Sequence, residues 1–163
     1  MNIRRTRGIV IAASIALALL PAWSTRAVAQ APSAGFPNVV GALRTTPGCL
    51  GVETGQTSSG KQVIFAWFED KKSLVGWYHS DVHQRAMKTV FPNLTFDRQP
   101  LPDLPEDSGP ILAIVSVKFA ETSKRIASIG IELYGPLPGG VAVGGRFAPE
   151  TIKVRGLREI EIR

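Results

Sequence analysis

Beyond Pro37, apolar and polar positions fall into short, distinct patterns. Residues 38–44 set Asn38 ahead of Val39, Val40 and Leu43, and "TTPG" follows, so a short capped helix is predicted. "CLGVETGQ" and "KQVIFAWFE" are β-prone runs separated by "TSSG", the pattern of a hairpin. Asp70 then opens a helical stretch to about Phe91, stopped by Pro92. Residues 94–110, with "QPLPDLPEDSGP", are too rich in Pro and Asp to hold a regular element. After them, "ILAIVSVKFA", "IASIGIELYG" and "GVAVGGRFA" read as three strands, the last two joined by "PLPGG". Helix, two strands, helix, three strands describes an α+β protein with a largely antiparallel sheet.

The stretch between Val63 and Pro92 concentrates the candidate chemistry. On an uninterrupted helix, Leu74, Val75, Tyr78, Val82, Ala86 and Val90 make one apolar stripe with Trp77 beside it. His79, His83 and Met87 then follow at i, i+4 and i+8 along its other border, and two imidazoles with a thioether suit copper or a haem iron. The competing reading has Ser80 and Asp81 cap a second helical segment, which breaks that register and leaves both histidines as half-exposed border residues. No Cys or third His lies nearby to complete a closed site, so no metal is assigned. Trp67 and Trp77 serve either as core anchors or as pocket walls, because each buries a large area and needs one hydrogen-bond partner. Tyr78 belongs to the apolar stripe, with a hydroxyl able to donate a proton.

Composition changes the picture at the N-terminus. Arg4, Arg5 and Arg7 precede an apolar run from Gly8 to Leu20 and an "AVA" cleavage site, which reads as a signal peptide over residues 1–29, cut after Ala29. Export to the periplasm or outside the cell by the general route follows, with no membrane association after cleavage. Removing it takes four arginines and no acids from the net charge of +6. No remaining segment interleaves Lys or Arg with aromatics, so no nucleic-acid partner is expected. Residues 30–37 read as a leader and 38–163 as a single domain large enough to fold without staples. Cys49 is the one cysteine, which excludes an intramolecular disulfide and fits a small buried residue at a turn.

"TPGCLGVE", "QVIFAWFEDKKSLVGW" and "SDVHQRAM", in that order over residues 46–90, resemble the antibiotic biosynthesis monooxygenase family. The resemblance rests on Pro47, Gly48 and Cys49, on Trp67 with Glu69 and Asp70, and on Ser80. It implies a ferredoxin-like α+β fold, paired as a homodimer into a dimeric barrel, with a pocket between sheet and helices. Some members of that family oxidise polyphenols or quinols with oxygen and neither metal nor flavin; others bind and degrade haem. Two positions depart from the pattern. The family's first strand has no counterpart before residue 38, and Met87 stands where the haem-degrading branch carries its iron-binding His, which argues against haem degradation although Trp77 matches that branch.

The functional expectation is a cofactor-independent monooxygenase-like protein acting on a small aromatic or quinol-type molecule. His79 or His83 would deprotonate the substrate, in a pocket walled by Trp67, Trp77, Tyr78 and Met87. The alternatives are a non-catalytic protein that binds an apolar ligand, haem or a metal, and a degenerate interaction domain on the same fold. No G-x-S-x-G nucleophile signature is present, and "PGGVAVGG" lacks the Lys and following helix of a phosphate loop.

Overall fold

The computed structural model describes residues 38–162 except Lys124, so the expected signal peptide, its cut after Ala29 and the leader lie outside the described residues. Asn38 caps α1 (Val39–Arg44) by accepting the Gly41 N–H at 2.9 Å. The predicted hairpin forms as β1 (Cys49–Gln56) and β2 (Gln62–Phe68), paired antiparallel across the "TSSG" turn. The long helical stretch divides into α2 (Lys71–Tyr78), capped by Asp70, and α3 (Asp81–Val90), capped by Ser80. Each cap satisfies a backbone N–H at its helix start, the Ser73 N–H on the Asp70 carboxylate at 2.8 Å and the His83 N–H on the Ser80 hydroxyl at 3.2 Å. Among the described residues, no helix is long and apolar enough to cross a membrane.

Residues 91–110 hold no regular element, and the chain resumes in β3 (Ile111–Phe119) and β4 (Ile126–Tyr134). The order β1-β2-β3-β4 is antiparallel throughout, which makes an open four-stranded sheet with β1 and β4 as its edges, not a closed barrel. Strand alternation sorts its side chains. Val52, Ile64, Ala66, Phe68, Ile111 and Ala113 share one face, and most of them form the core with Leu43 of α1 and with Leu74 and Trp77 of α2. Val63, Phe65 and Trp67 point to the other face.

That second face is covered by the C-terminal segment, contrary to expectation. "GVAVGGRFA" does not add a fifth strand beside β4. Only β5 (Val141–Val143) is extended, and it pairs in parallel with β6 (Arg158–Ile160), an element that the alternating charges of "KVRGLREIEIR" had hidden. Gly139 and Gly140, at φ 98° and 104°, turn the chain away from β4 into a conformation that residues with a Cβ rarely adopt. The following residues then reach across the sheet: Phe147 meets Phe65 edge-on at 5.0 Å, and Pro149 abuts Gly51. Arg146 ties this segment together, donating to the Glu150 carbonyl at 2.7 Å and lying 3.5 Å from Glu159, an ion contact without hydrogen-bond geometry.

The antiparallel pairing of β2 with β3 requires the chain to return to the end of the sheet that it left, since Ile111 lies opposite Phe68. Lys71 holds this return. Its side chain is only 7% exposed, and its ammonium donates to the Leu104 carbonyl at 2.7 Å and to the Glu106 carboxylate at 2.6 Å. Its backbone N–H donates to the Ser108 carbonyl at 2.9 Å. Gly109 runs against the Glu69 carbonyl so closely that a Cβ there would collide with it. A hydrogen bond to a charged group contributes about 1.5–3 kcal/mol, whereas an ion pair with an exposed carboxylate contributes under about 1 kcal/mol. Lys71→Met is therefore expected to lower the unfolding free energy by about 1.5–3 kcal/mol and Glu106→Gln by under about 1 kcal/mol, read from urea titrations; equal losses would contradict the assignment of the carbonyl as the main partner.

Candidate functional site

The apolar faces of α2, α3 and the sheet do not meet completely. Between them lies a cleft of ≈ 390 Å³, walled by Trp77 and Tyr78 of α2, His83, Ala86 and Met87 of α3, and Ala113, Val115, Ile131 and Leu133 of the sheet. Leu94, Phe96, Asp97, Pro100 and Leu101 of the segment after α3 lie along it as a strap. Its size falls within the range of small-molecule sites, and among the described residues Tyr78, His83 and Asp97 are the polar ones beside its Trp77 indole.

The break between α2 and α3 separates the two histidines. His79 is the exposed C-cap of α2, its ring edge-on to Tyr78 at 5.1 Å, and it does not line the cleft. His83 is half-buried, with its ring 5.6 Å from Trp77, 5.4 Å from Tyr78 and 6.2 Å from Phe96. The metal ridge read from one continuous helix is thus not formed, because Ser80 restarts the helix in a new register. Among the described residues, no three His, Cys, Asp or Glu side chains come together as a metal-binding set.

Trp67 is also separated from the cleft. It is 7% exposed on the opposite face of the sheet, between Ala66 and Phe68, which face the helices, and its indole N–H has no partner among the described residues. Trp77, Tyr78 and Met87 do line the cleft, so of the six candidates four come together and two, Trp67 and His79, do not. The strap and β4 were missed as walls. The apolar residues Leu94, Phe96 and Leu101 within a Pro-rich segment were the available signal, since solvent-facing loops have no need of them.

Hydrogen bonding fixes the chemistry of His83. Its Nδ1 lies 2.9 Å from the Tyr78 carbonyl oxygen, which can only accept, so the neutral ring carries its proton on Nδ1 and keeps the lone pair on Nε2. Burial pushes the imidazole below its ordinary pKa, opposed by the bond to the Tyr78 carbonyl and reinforced by the nearby His79. The Tyr78 hydroxyl accepts the Asp97 N–H at 2.9 Å, which pins the strap to α2 and leaves the phenolic proton free to donate. Phe96 packs on Tyr78 at 5.7 Å, with the Lys88 ammonium 5.9 Å from its ring centre.

A broader groove of ≈ 700 Å³ lies between the Thr45–Gly48 turn and α2. Its most acidic wall is already engaged, because Asp70 accepts both the Ser73 N–H and the Ser73 hydroxyl, and these bonds hold its carboxyl below the usual range. Cys49 is half-buried next to that turn, its thiol pushed up by burial and so less inclined to ionise. The smaller cleft is the better candidate site, since it joins a predominantly apolar enclosure to an imidazole with a free lone pair. No family model, no curated protein and no solved structure matches the chain.

The lowered pKa of His83 has a definite sign. The unfolded chain takes up the proton first as pH falls, so stability is complete above about 6.5 and declines as pH drops from there toward the folded value. Unfolding midpoints measured between about pH 7.5 and about pH 5 should fall in the parent and flatten in His83→Gln; the window of Asp70 lies lower, near the carboxylate range. An unchanged slope in the variant would assign the pH dependence to another group.

Proposed function

We propose that this is an exported, cofactor-independent, monooxygenase-like protein that binds a small aromatic or quinol-type molecule in the apolar cleft. The reading is carried by one observation: a neutral imidazole with its free lone pair on Nε2 lies in a predominantly apolar wall that also holds the Tyr78 hydroxyl. A phenolic O–H of the substrate gives its proton to His83 Nε2, and a ring carbon of the phenolate gives an electron pair to dioxygen, forming a C–O bond and a peroxide that takes the proton back from His83. Loss of the ring-carbon proton and of the distal oxygen as water leaves a quinone, so that the substrate is itself the reductant. Tyr78 donates a hydrogen bond to a second oxygen on the ring, and Trp77 and Met87 flank it. His79, exposed beyond the helix break, has no part in the reaction.

The ferredoxin-like, dimeric-barrel expectation belongs to the same reading. It is supported by the α+β content, by an antiparallel sheet with helices on one face, and by the agreement of β1, β2 and the helix starts with the resembling segments. It carries one departure. In a split βαβ unit the strands joined across a helix run parallel with a strand between them, whereas β2 and β3 are antiparallel neighbours. A second copy would add its sheet through the free edge of β4; light scattering that returns the mass of one chain would remove the dimer and leave the cleft as it is.

Oxygen uptake with a panel of quinols and polyphenols tests the catalytic reading. His83→Gln should reduce the rate by about 10²–10⁴-fold and His79→Gln by no more than about twofold. The rate of the parent should hold to below about pH 6.5 before it falls, because the base stays unprotonated there. An undiminished rate in His83→Gln defeats the mechanism, and saturable binding without oxygen uptake favours the non-catalytic ligand-binding alternative.

A further inference from the structure

Charge and exposure along the cleft restrict what it can hold. Among the described residues, Asp97 is the one acidic residue in its wall, and neither Lys nor Arg lines it. A carboxylate or phosphate head group would find no cation there and would lose its hydration beside another anion. A neutral hydroxyl or carbonyl is better matched, since Tyr78 has a proton to donate and His83 Nε2 a lone pair to accept one.

The sheet wall is graded from buried to exposed. Across the row Ala66, Ala113, Leu133 exposure rises from 2% to 5% to 36%, and Ile131 in the adjoining row is 49% exposed. The cleft therefore opens over β4, where Ile129, Ile131 and Leu133 continue its apolar surface into solvent. From Leu133 to Ile129 this strip runs about 14 Å at about 3.4 Å per residue. Single exposed apolar residues are ordinary, but a row that extends a ligand cleft is not.

We infer that the ligand of this cleft is a neutral amphiphile, with a hydroxyl or oxo head between Tyr78 and His83 and an aliphatic tail laid along β4. The inference rests on the reading of the cleft as a ligand site and narrows its substrate class from any small aromatic to a tailed one. The head supplies the group that His83 acts on; the tail covers the exposed strip of Ile131 and Leu133.

The test is calorimetric titration of the protein, under nitrogen, with one naphthoquinol ring bearing no tail, a butyl, an octyl or a dodecyl chain, and with dodecanoate. Each methylene that reaches β4 should tighten binding by about 2- to 4-fold, levelling once the strip is filled, so that the octyl compound exceeds the bare ring by at least about 100-fold. Dodecanoate should bind at least about 10-fold more weakly than the dodecyl quinol. Ile131→Asp should abolish most of the chain-length gain, a change at a half-exposed position that the fold tolerates. Equal affinity at all chain lengths, or a gain undiminished in Ile131→Asp, overturns the inference and leaves the small-aromatic reading standing. Dodecanoate binding as tightly as the dodecyl quinol overturns the neutral head. Binding of none of the compounds defeats the ligand site itself and the inference with it.

Discussion

The structure depends on the return of the chain to the end of the sheet at which β2 finishes. A helical crossover ordinarily delivers the next strand parallel to the last, because the helix carries the chain back along the sheet. Here two short helices and twenty further residues, 91–110, bring Ile111 opposite Phe68, and β3 pairs antiparallel. The return is fixed where it ends, by a lysine whose ammonium is taken out of water and given a carbonyl and a carboxylate, and whose backbone N–H is given a second carbonyl. An isolated buried ammonium is costly, so the partners must arrive together, and their arrival places residues 104–108 beside the start of α2. The same anchoring obliges the segment between α3 and Leu104 to run along the helices, which is how Phe96 and Leu101 come to wall the cleft. Leu101 takes a left-handed conformation, φ 59°, that a leucine seldom adopts; its side chain packs against the core.

A second constraint is the restart of the helix at Ser80. Had the helix continued, His79, His83 and Met87 would have formed one ridge. The hydroxyl of Ser80 instead caps a new helix, and His83 turns back to the carbonyl of Tyr78, the last residue of the old one. That carbonyl lies in the last turn of α2, where acceptors lack intrahelical partners, so the imidazole satisfies a group that would otherwise need water. One local event thus decides which histidine is solvent-exposed, which is half-buried, and which nitrogen of the latter holds its lone pair.

Much of this was legible in the sequence because it is local. Caps at Asn38, Asp70 and Ser80, the "TSSG" turn and the breakers at Pro47 and Pro92 act over a few residues, and the elements that they bound lie where their patterns place them. The choice between one helix and two was visible as alternatives, and the capping geometry decides it. Trp67 was misplaced as a cleft wall because a run such as "QVIFAWF" is apolar on both faces, and the pattern cannot say which face meets helices and which meets the C-terminal segment. β6 and the parallel β5–β6 pairing were illegible because a three-residue strand carries little periodicity and its partner lies far along the chain. The strap was hidden for a related reason: its apolar residues are irregularly spaced, and only the long-range hold of Lys71 gives them a common surface.

The cleft follows from an incomplete fit of layers. Of α3 only Ala86 is buried, although Val82, Met87 and Val90 complete an apolar face, and β4 presents Ile131 and Leu133 to a space that none of the described helices fills. A closed core would have satisfied both surfaces at once. Instead the protein keeps apolar walls on two sides of a gap and a half-desolvated imidazole in one of them. Direct reduction of oxygen by a deprotonated ring needs water kept away from the anion, and the open side toward β4 is where water would enter. On the proposed reading, a tail lying on that strip closes it. The substrate then completes the apolar enclosure, so that the base is most fully desolvated when there is a proton for it to take.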